Sequence, residues 1–352
     1  MKECSEEQKK KTKNMTESIN YKDTIITQLT EIMNERKKTN DVWKVRAYKK
    51  VIDVLNNVNT PITKMEDINE LPGIGKSIKE KIQEIFDNNI ITEIKNMSPE
   101  EKLKTEVIEK LTKVSTIGIK KAEDLYNKHN IRSIEDLKNK QDLLNDKQKI
   151  GLFYYEDEQI RIKYKEMQKH SKLILETISD FDNEIICNIA GSYRRESKDS
   201  GDIDILITKS NETVNGEELF KSVVDMLISK KYIKDTLAYG KKKFMGYCRL
   251  PKHKTHRRID ILYSDPNKYA FALLYFTGDY SFNISMRNIA QTKGYSLNEY
   301  GLIYTSGDKK GEYVNENFLN EKDIFDFLEI DFVEPKNRNK EVLNKYLLSY
   351  IT

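Results

Sequence analysis

The chain has 352 residues, 34% of them charged and 38% hydrophobic, enough to bury sizeable cores and, on length alone, to form two or three units rather than one. Its 61 basic and 57 acidic residues leave a net charge of only +4, so total charge does not argue for a polyanionic partner; Cys4, Cys187 and Cys248 are too scattered for a disulfide framework or a zinc site and fit a reducing compartment. No run of 18 apolar residues and no secretory h-region occurs, which excludes a spanning helix and predicts an intracellular, non-secreted protein with no membrane partner.

Residues 1–20 are polar, lysine-rich and aperiodic, and predict a disordered tail. Residues 21–97 are helical in period: Ile25, Ile26, Leu29, Ile32 and Met33 form one stripe, and Val51, Ile52, Val54, Leu55 and Val58 another. Within them LPGIGKSIKEKIQEIF (residues 71–86) sets Gly73 and Gly75 ahead of an amphipathic helix. Loop amides and the helix N-terminus can then face a phosphate, a helix-hairpin-helix pattern. Residues 98–163 predict further short helices, broken at 116–118 and around 147–151. There VSTIGIKKAEDLY (residues 114–126) repeats the hairpin imperfectly, keeping Gly118 but placing Thr116 where the first glycine would stand. Two hairpins suit contact with a sugar-phosphate backbone without reading bases.

The pattern changes after residue 163. Strands are predicted at 185–190, 203–207, 244–250 and 259–263, with a helix at 219–229, making an α+β unit over 164–266. Residues 267–352 carry a helix from 280 to 293, closed by Gly294, among short strands and loops. Basic clusters at 9–11, 241–243 and 252–258 fit a polyanion or an ordinary solvated face equally.

Chemistry concentrates at AGSYRRESKDSGDIDILIT (residues 190–208). Asp202 and Asp204 stand two apart in a strand whose alternate residues are isoleucines, so both point one way and each raises the cost of ionising the other. Asp260, in RRIDILY, lies in the same kind of strand, so neighbouring strands can converge three carboxylates on one point. Hard oxygen ligands of this kind suit Mg²⁺, and two such ions serve phosphoryl transfer. Gly191, Ser192, Arg194 and Arg195 add backbone donors and guanidinium groups suited to a triphosphate.

With LPGIG…EKI, AGSYRR…SGDIDILIT, KFMGYCRLP, RRIDILY and LYFTGDYSFNISMR…KGYSLNEYGL in this order, the sequence resembles the family X DNA polymerases, the beta type most of all, over nearly everything from Tyr21 onward. The resemblance implies a multi-domain α+β fold. Its parts are a helical deoxyribose-phosphate lyase-like domain with a helix-hairpin-helix (21–97), a second helical helix-hairpin-helix subdomain (98–163), a nucleotidyltransferase palm with a mixed β-sheet (164–266) and an α/β subdomain that selects the nucleotide (267–352). It also implies a monomer acting on gapped or nicked duplex DNA and dNTPs, two Mg²⁺ ions held by Asp202, Asp204 and Asp260, and Na⁺ or K⁺ at the hairpins. Arg161, Ser192, Arg195, Ser200 and Gly201 would hold the triphosphate; Tyr275, Phe276 and Gly278 would contact the sugar, and Tyr280 and Asn283 the base. Gly73, Gly75, Gly118, Lys44, Tyr48, Arg258, Arg287 and Tyr300 would lie along DNA. Glu299 and Tyr300 match positions that pair with the 280–293 helix. That helix reads independently as polar along Tyr280, Asn283 and Arg287 and apolar along Phe282, Met286 and Ile289.

Departures are specific: Tyr280 replaces an acid and Ile284 a lysine near the nascent base pair. In the lyase-like domain the helical wheel leaves Lys79 and Lys81 flanking the buried stripe, with Lys76 well away. The match to the family selects Lys81 as the Schiff-base nucleophile, with Lys44 and Tyr48 beside it, while Trp43 replaces a histidine and Ser77 a phosphate-binding lysine. Base excision repair is the implied setting. The competing functions are a template-independent or RNA-tailing nucleotidyltransferase and a DNA-binding scaffold without chemistry. A partner-binding module ahead of the helical domain is not expected. The lysine- and asparagine-rich composition fits an AT-rich genome such as a large DNA virus, with a nuclear, cytoplasmic replication-site or virion location.

Overall fold

The computed structural model describes residues 19–38, 41–56, 58, 60–69, 71–96, 98–209, 215–339, 341–343 and 346. The tail predicted at 1–20, with its lysine cluster at 9–11, falls almost entirely outside the described residues. The chain divides into two compact units, one of residues 1–113 with 117–139 and one of residues 114–116 with 140–352.

The first unit is helical: α1 (Lys22–Lys38), α2 (Val42–Asn56), α3 (Lys76–Asn88), α4 (Thr92–Lys95), α5 (Pro99–Thr112), α6 (Ile119–His129) and α7 (Ile134–Asn139). Both predicted stripes face one core, Ile26 and Val58 only partly buried: Ile25, Leu29 and Ile32 of α1 and Val51 and Leu55 of α2 share it with Ile78, Ile82 and Ile85 of α3. A fully buried aliphatic side chain of this size contributes about 1.5–3 kcal/mol, so this shared core is what holds such short helices together. Ser98 caps α5 in a reciprocal box with Glu101, and Pro99 occupies the first helical position, where its missing N–H costs nothing.

The two hairpin turns are alike in backbone. Gly73 has φ +89° and Thr116 φ +73°. Gly75 and Gly118 then cap α3 and α6 at φ −80°, ψ 174° and φ −85°, ψ 172°. Thr116 therefore performs the left-handed turn that a glycine performs in the first copy, against a steric cost of roughly 1–2 kcal/mol for an L side chain.

The second unit contains α8 (Asp146–Phe153), α9 (Tyr155–Glu158), β1 (Ile162–Lys163), α10 (Tyr164–Phe181), β2 (Ile185–Ile189), α11 (Gly191–Arg194), β3 (Asp199–Ser200), β4 (Ile203–Lys209), α12 (Gly216–Ser229), β5 (Ile233–Tyr239), β6 (Lys243–Cys248), β7 (Arg257–Tyr263), α13 (Tyr269–Thr277), α14 (Tyr280–Thr292), β8 (Tyr295–Asn298), β9 (Gly301–Tyr304) and α15 (Glu321–Phe327). Five strands form a mixed sheet in the order β2-β4-β7-β6-β5, with β4 and β7 parallel and the other pairs antiparallel. Helices α10 and α12 pack on this sheet, and Ile203, Ile205, Ile207, Ile259 and Ile261 point into the shared core with Phe220, Val223 and Leu227. A second core joins α13, α14, the β8–β9 hairpin and α15 around Phe282, Met286, Ile289 and Phe325.

Two local expectations are corrected. The break expected around 147–151 lies earlier, because those residues are inside α8. Gly151 is there for close packing: a Cβ would fall 2.2 Å from the carbonyl oxygen of Ser115. Strand β5 was not expected at all, since its Lys234, Asp235 and Thr236 give an edge strand with a polar pattern.

Candidate active site

Strand alternation builds the site. With the odd-numbered residues of β4 and β7 committed to the core, Asp204 and Asp260 emerge together on the other face, and the parallel register sets them directly opposite each other. Neighbouring strands lie about 4.8 Å apart. Asp202 is one strand period before Asp204, and both it and Asp260 act on the Asp204 carboxyl by charge. Burial, then the charges of Asp202 and Asp260, push Asp204 up to about 7, against the opposing pull of Arg258 and Arg195. Asp260 is also raised, first by burial, with Arg258 opposing.

The convergence is one of register and charge. Among the described residues no three His, Cys, Asp or Glu side chains are drawn together closely enough to hold a metal ion. The physical reason is on the strands themselves. Like charges repel, and Arg258 draws Oδ2 of Asp260 toward its Nη2 at 3.4 Å. The remaining oxygen, Oδ1 of Asp260, is buried without a hydrogen-bond partner. An all-oxygen donor set with one orphaned, buried carboxylate oxygen fits a hard divalent cation.

The loop after β2 closes over these acids. Gly191 has φ +57°, and a Cβ there would lie 2.1 Å from Oδ2 of Asp204, so only glycine lets the loop approach so closely. Ser192 Oγ donates to Oγ of buried Ser200 at 2.8 Å. Arg161 Nε donates to Asp199 Oδ1 at 2.9 Å, and its Nη1 would meet a Cβ on Gly201 at 2.9 Å. Four residues expected at a triphosphate, Arg161, Ser192, Ser200 and Gly201, are thus gathered by the β1–β3 pairing.

Arg195 turns toward the α13–α14 junction and donates to the carbonyl of Thr277, lying 3.2 Å from where a Cβ on Gly278 would be. Asn283 Nδ2 donates to the Tyr275 carbonyl at 2.7 Å, and the Arg287 guanidinium stands 5.2 Å from the Tyr275 ring centroid. Phe276 meets Tyr275 edge to face. The polar face expected on α14 is therefore built, with Asn283 and Arg287 leaning on Tyr275. Tyr280 is 62% exposed at the start of that face. Tyr300 is exposed at the tip of the β8–β9 turn, where its amide N–H donates to Asn298.

Sequence reasoning missed a buried ion network behind this loop. Arg194 donates to Thr277 Oγ1 at 2.6 Å and to both oxygens of Glu321 at 3.1 and 2.7 Å, while Arg338 Nη1 donates to Glu321 Oε1 at 2.6 Å. Glu321 stands in a polar capping box at the start of α15, which in sequence is indistinguishable from a solvated helix end.

In the helical unit, Lys81 Nζ forms an ion pair with Glu93 Oε2 at 2.6 Å, and Glu93 also accepts from Arg36. Lys81 is mostly covered, its side chain 17% exposed. Tyr48 is buried, Lys44 pairs with Asp41 at 3.1 Å, and Trp43 is 80% exposed. Glu93 was not expected, as nothing in its α4 sequence separates it from a surface acid.

Four family models match the chain in succession: a helix-hairpin-helix domain over residues 20–90, the fingers domain of DNA polymerase lambda over 109–159, the DNA polymerase beta palm over 161–266 and the DNA polymerase beta thumb over 272–339. Among curated proteins, the chain is 30% identical over 310 residues to DNA polymerase lambda of Rattus norvegicus, covering 85% of this chain and 53% of that protein. It is 31% identical to DNA polymerase lambda of Arabidopsis thaliana over 83% of this chain and 57% of that protein. It is 28% identical to DNA nucleotidylexotransferase of Xenopus laevis over 83% of this chain and 63% of that protein. The chain thus spans a little over half the length of the curated relatives it matches. With the paired acids, the glycine-bound loop and both hairpins in the order these matches require, the chain belongs to the family X DNA polymerases.

Proposed function

We propose that this chain is a repair-type DNA polymerase that fills short gaps, transferring a deoxynucleotide from a dNTP to a primer 3′-hydroxyl on gapped or nicked duplex DNA. The observation that carries this reading is the in-register pairing of Asp204 with Asp260, with Asp202 one period away, beneath a loop of phosphate-type donors. Asp202, Asp204 and Asp260 would hold Mg²⁺. Bound there, the metal supplies Lewis acidity that eases deprotonation of the attacking hydroxyl and offsets charge on the departing pyrophosphate.

The protein's own groups do the rest. Oδ1 of Asp260, unpartnered and buried, can accept a hydrogen bond from the primer hydroxyl, while Arg258 keeps the other oxygen fixed. Arg161, Ser192, Ser200 and Gly201 would receive the β- and γ-phosphates, and Arg195 would join them by leaving the Thr277 carbonyl. Tyr275, Phe276 and Gly278 would lie along the sugar, with Tyr280 and Asn283 at the base. Arg287, released from the Tyr275 ring at a cost of about 0.5–2 kcal/mol, would reach the template. The two hairpins would take the DNA backbone through the amides of Gly75 and Gly118, their loop carbonyls offering a site for Na⁺ or K⁺.

The test is incorporation on two substrates, a one-nucleotide gap and a single-stranded primer, with each dNTP supplied separately. Addition to the gap of only the nucleotide complementary to the template supports the reading. Equal addition of all four to the single strand would replace it with untemplated tailing, and binding without addition would leave a scaffold.

For the helical unit the proposal is a deoxyribose-phosphate lyase acting through Lys81. A salt-bridged ammonium has no lone pair to offer, so the contact with Glu93 must open before attack. Borohydride trapping on a 5′-incised abasic duplex is expected in the wild type and expected to drop to background in Lys81→Ala. Undiminished trapping in that variant would pass the role to another lysine, Lys79 being the first to test.

A further inference from the structure

A second basic site lies at the β5 edge of the sheet, separated from the acids on β4 and β7 by strand β6. A cleft of about 370 Å³ opens there between α10, the turn after α12 and the end of β6, within the size range of small-ligand sites. Five cations line it: Lys230, Lys231, Lys234, Arg249 and Lys252. No acidic residue is in the lining, and among the described residues none of the five makes an ion pair. Elsewhere lysines such as Lys128, Lys209 and Lys322 find acids within 3 Å. Five cations without an ion pair among the described residues outnumber the net +4 of the whole chain, although Arg249 also acts by charge on Tyr154, which is hydrogen-bonded to Asp235.

A favourable place at the C-terminus of α12 accounts for Lys230 and Lys231 by the helix dipole alone, but not for the other three. Backbone conformation argues further. Lys231 and Lys252 both adopt positive φ, +57° and +64°. Lys231 follows the α12 cap, and Lys252 is the third residue of a turn closed by His253 N–H donating to the Leu250 carbonyl at 3.2 Å. Glycine is the ordinary residue at both kinds of position. Each lysine therefore places its charge at the cleft against a steric cost of roughly 1–2 kcal/mol.

We propose that this cleft binds a run of contiguous phosphate groups. Ammonium groups are point donors that meet phosphate oxygens from any direction, and a ligand of comparable charge density balances five cations lining one cleft. The phosphates could belong to a free polyphosphate or to a nucleic-acid strand passing the β5 edge; the chemistry recognised is the same. The proposal does not rest on the polymerase reading, since phosphate binding is measured whether or not a primer is extended.

Lysine acylation read residue by residue on the full chain tests it, with sodium tripolyphosphate as one probe and a duplex with long flanks as the other. Tripolyphosphate should slow acylation of Lys230, Lys231, Lys234 and Lys252 together by about tenfold at saturation. Protection by the duplex as well assigns the cleft to a strand; protection by tripolyphosphate alone assigns it to a small polyphosphate. The variant with all four lysines changed to glutamine should lose tripolyphosphate binding at this cleft while keeping wild-type single-nucleotide incorporation. The proposal is overturned by unchanged acylation of these lysines under both probes, or by a hexaglutamate peptide that protects them as well as tripolyphosphate does.

Discussion

Asp204→Asn is expected to cost the enzyme its chemistry and to make the protein more stable at neutral and alkaline pH. Loss of one of the three carboxylates should lower single-nucleotide incorporation by about 10³-fold or more, because both cation binding and charge neutralisation in the transition state depend on it. Stability moves the other way because of the sign of the shift. Burial and the neighbouring acids raise the Asp204 carboxyl in the folded chain to about 7, above its unfolded value of about 3.9. Between those values the folded state keeps a proton that the unfolded state has released, so this group's contribution falls as pH rises through that window. An isosteric amide escapes the loss, and the glycine at 191, which carries no Cβ, leaves it the same room beneath the loop. In metal-free buffer at pH 8, chemical denaturation should find the variant more stable by on the order of 1–3 kcal/mol, with the difference gone by pH 4. A variant less stable than wild type at both pH values would show that Asp204 is held by contacts rather than strained by its neighbours.

Glu321→Ala should destabilise the sheet-containing unit by about 3–5 kcal/mol, since it strands two guanidinium groups in the interior. Arg338 has no exposed side-chain surface and Arg194 is 22% exposed, and Nη2 of Arg338 already lacks a partner. A fall in Tm on the order of 10 °C follows for a unit of this size. Burial alone would raise the Glu321 carboxyl, but the hydrogen bonds from Arg194 and Arg338 outweigh it and hold it below the ordinary value. The stability it contributes is therefore present above the unfolded glutamate value and is lost as pH falls through the lower, folded one. Wild type should show an acid-side loss of stability that Glu321→Gln does not. Because Arg194 also holds Thr277, the alanine variant should bind dNTP more weakly in the fraction that remains folded. A Tm within about 2 °C of wild type for Glu321→Ala would mean that the network is decorative.

What the sequence made legible follows from which signals are local. Strand period placed Asp202 and Asp204 on one face, and helix period marked the cores of α1, α2, α3 and α14, because both depend only on spacing. The partner strand of Asp204 came from topology: β4 and β7 are some fifty residues apart, and only the sheet order makes them neighbours. Thr116 concealed the second hairpin, since a residue that rarely adopts positive φ stands there, yet the backbone is the same. Glu321, Arg338 and Glu93 were illegible for a different reason. A charged residue is read as solvated unless its buried partner is known, and each of these finds its partner through a contact distant in sequence. The cleft at the β5 edge shares that property: its cations come from two separate stretches, 230–234 and 249–252, and in sequence Lys252 only opens a basic run.

If carboxylates from two strands jointly bind divalent metal beside a triphosphate, metal binding depends on each of them. Counting bound Mn²⁺ by the loss of its free-ion electron paramagnetic resonance signal, at pH 8 with a non-hydrolysable dNTP, tests it without any turnover. Nucleotide-dependent binding by the wild type is expected, and it should disappear in Asp204→Asn and in Asp260→Asn. Binding of equal strength in wild type and both variants, or none in the wild type, would contradict it.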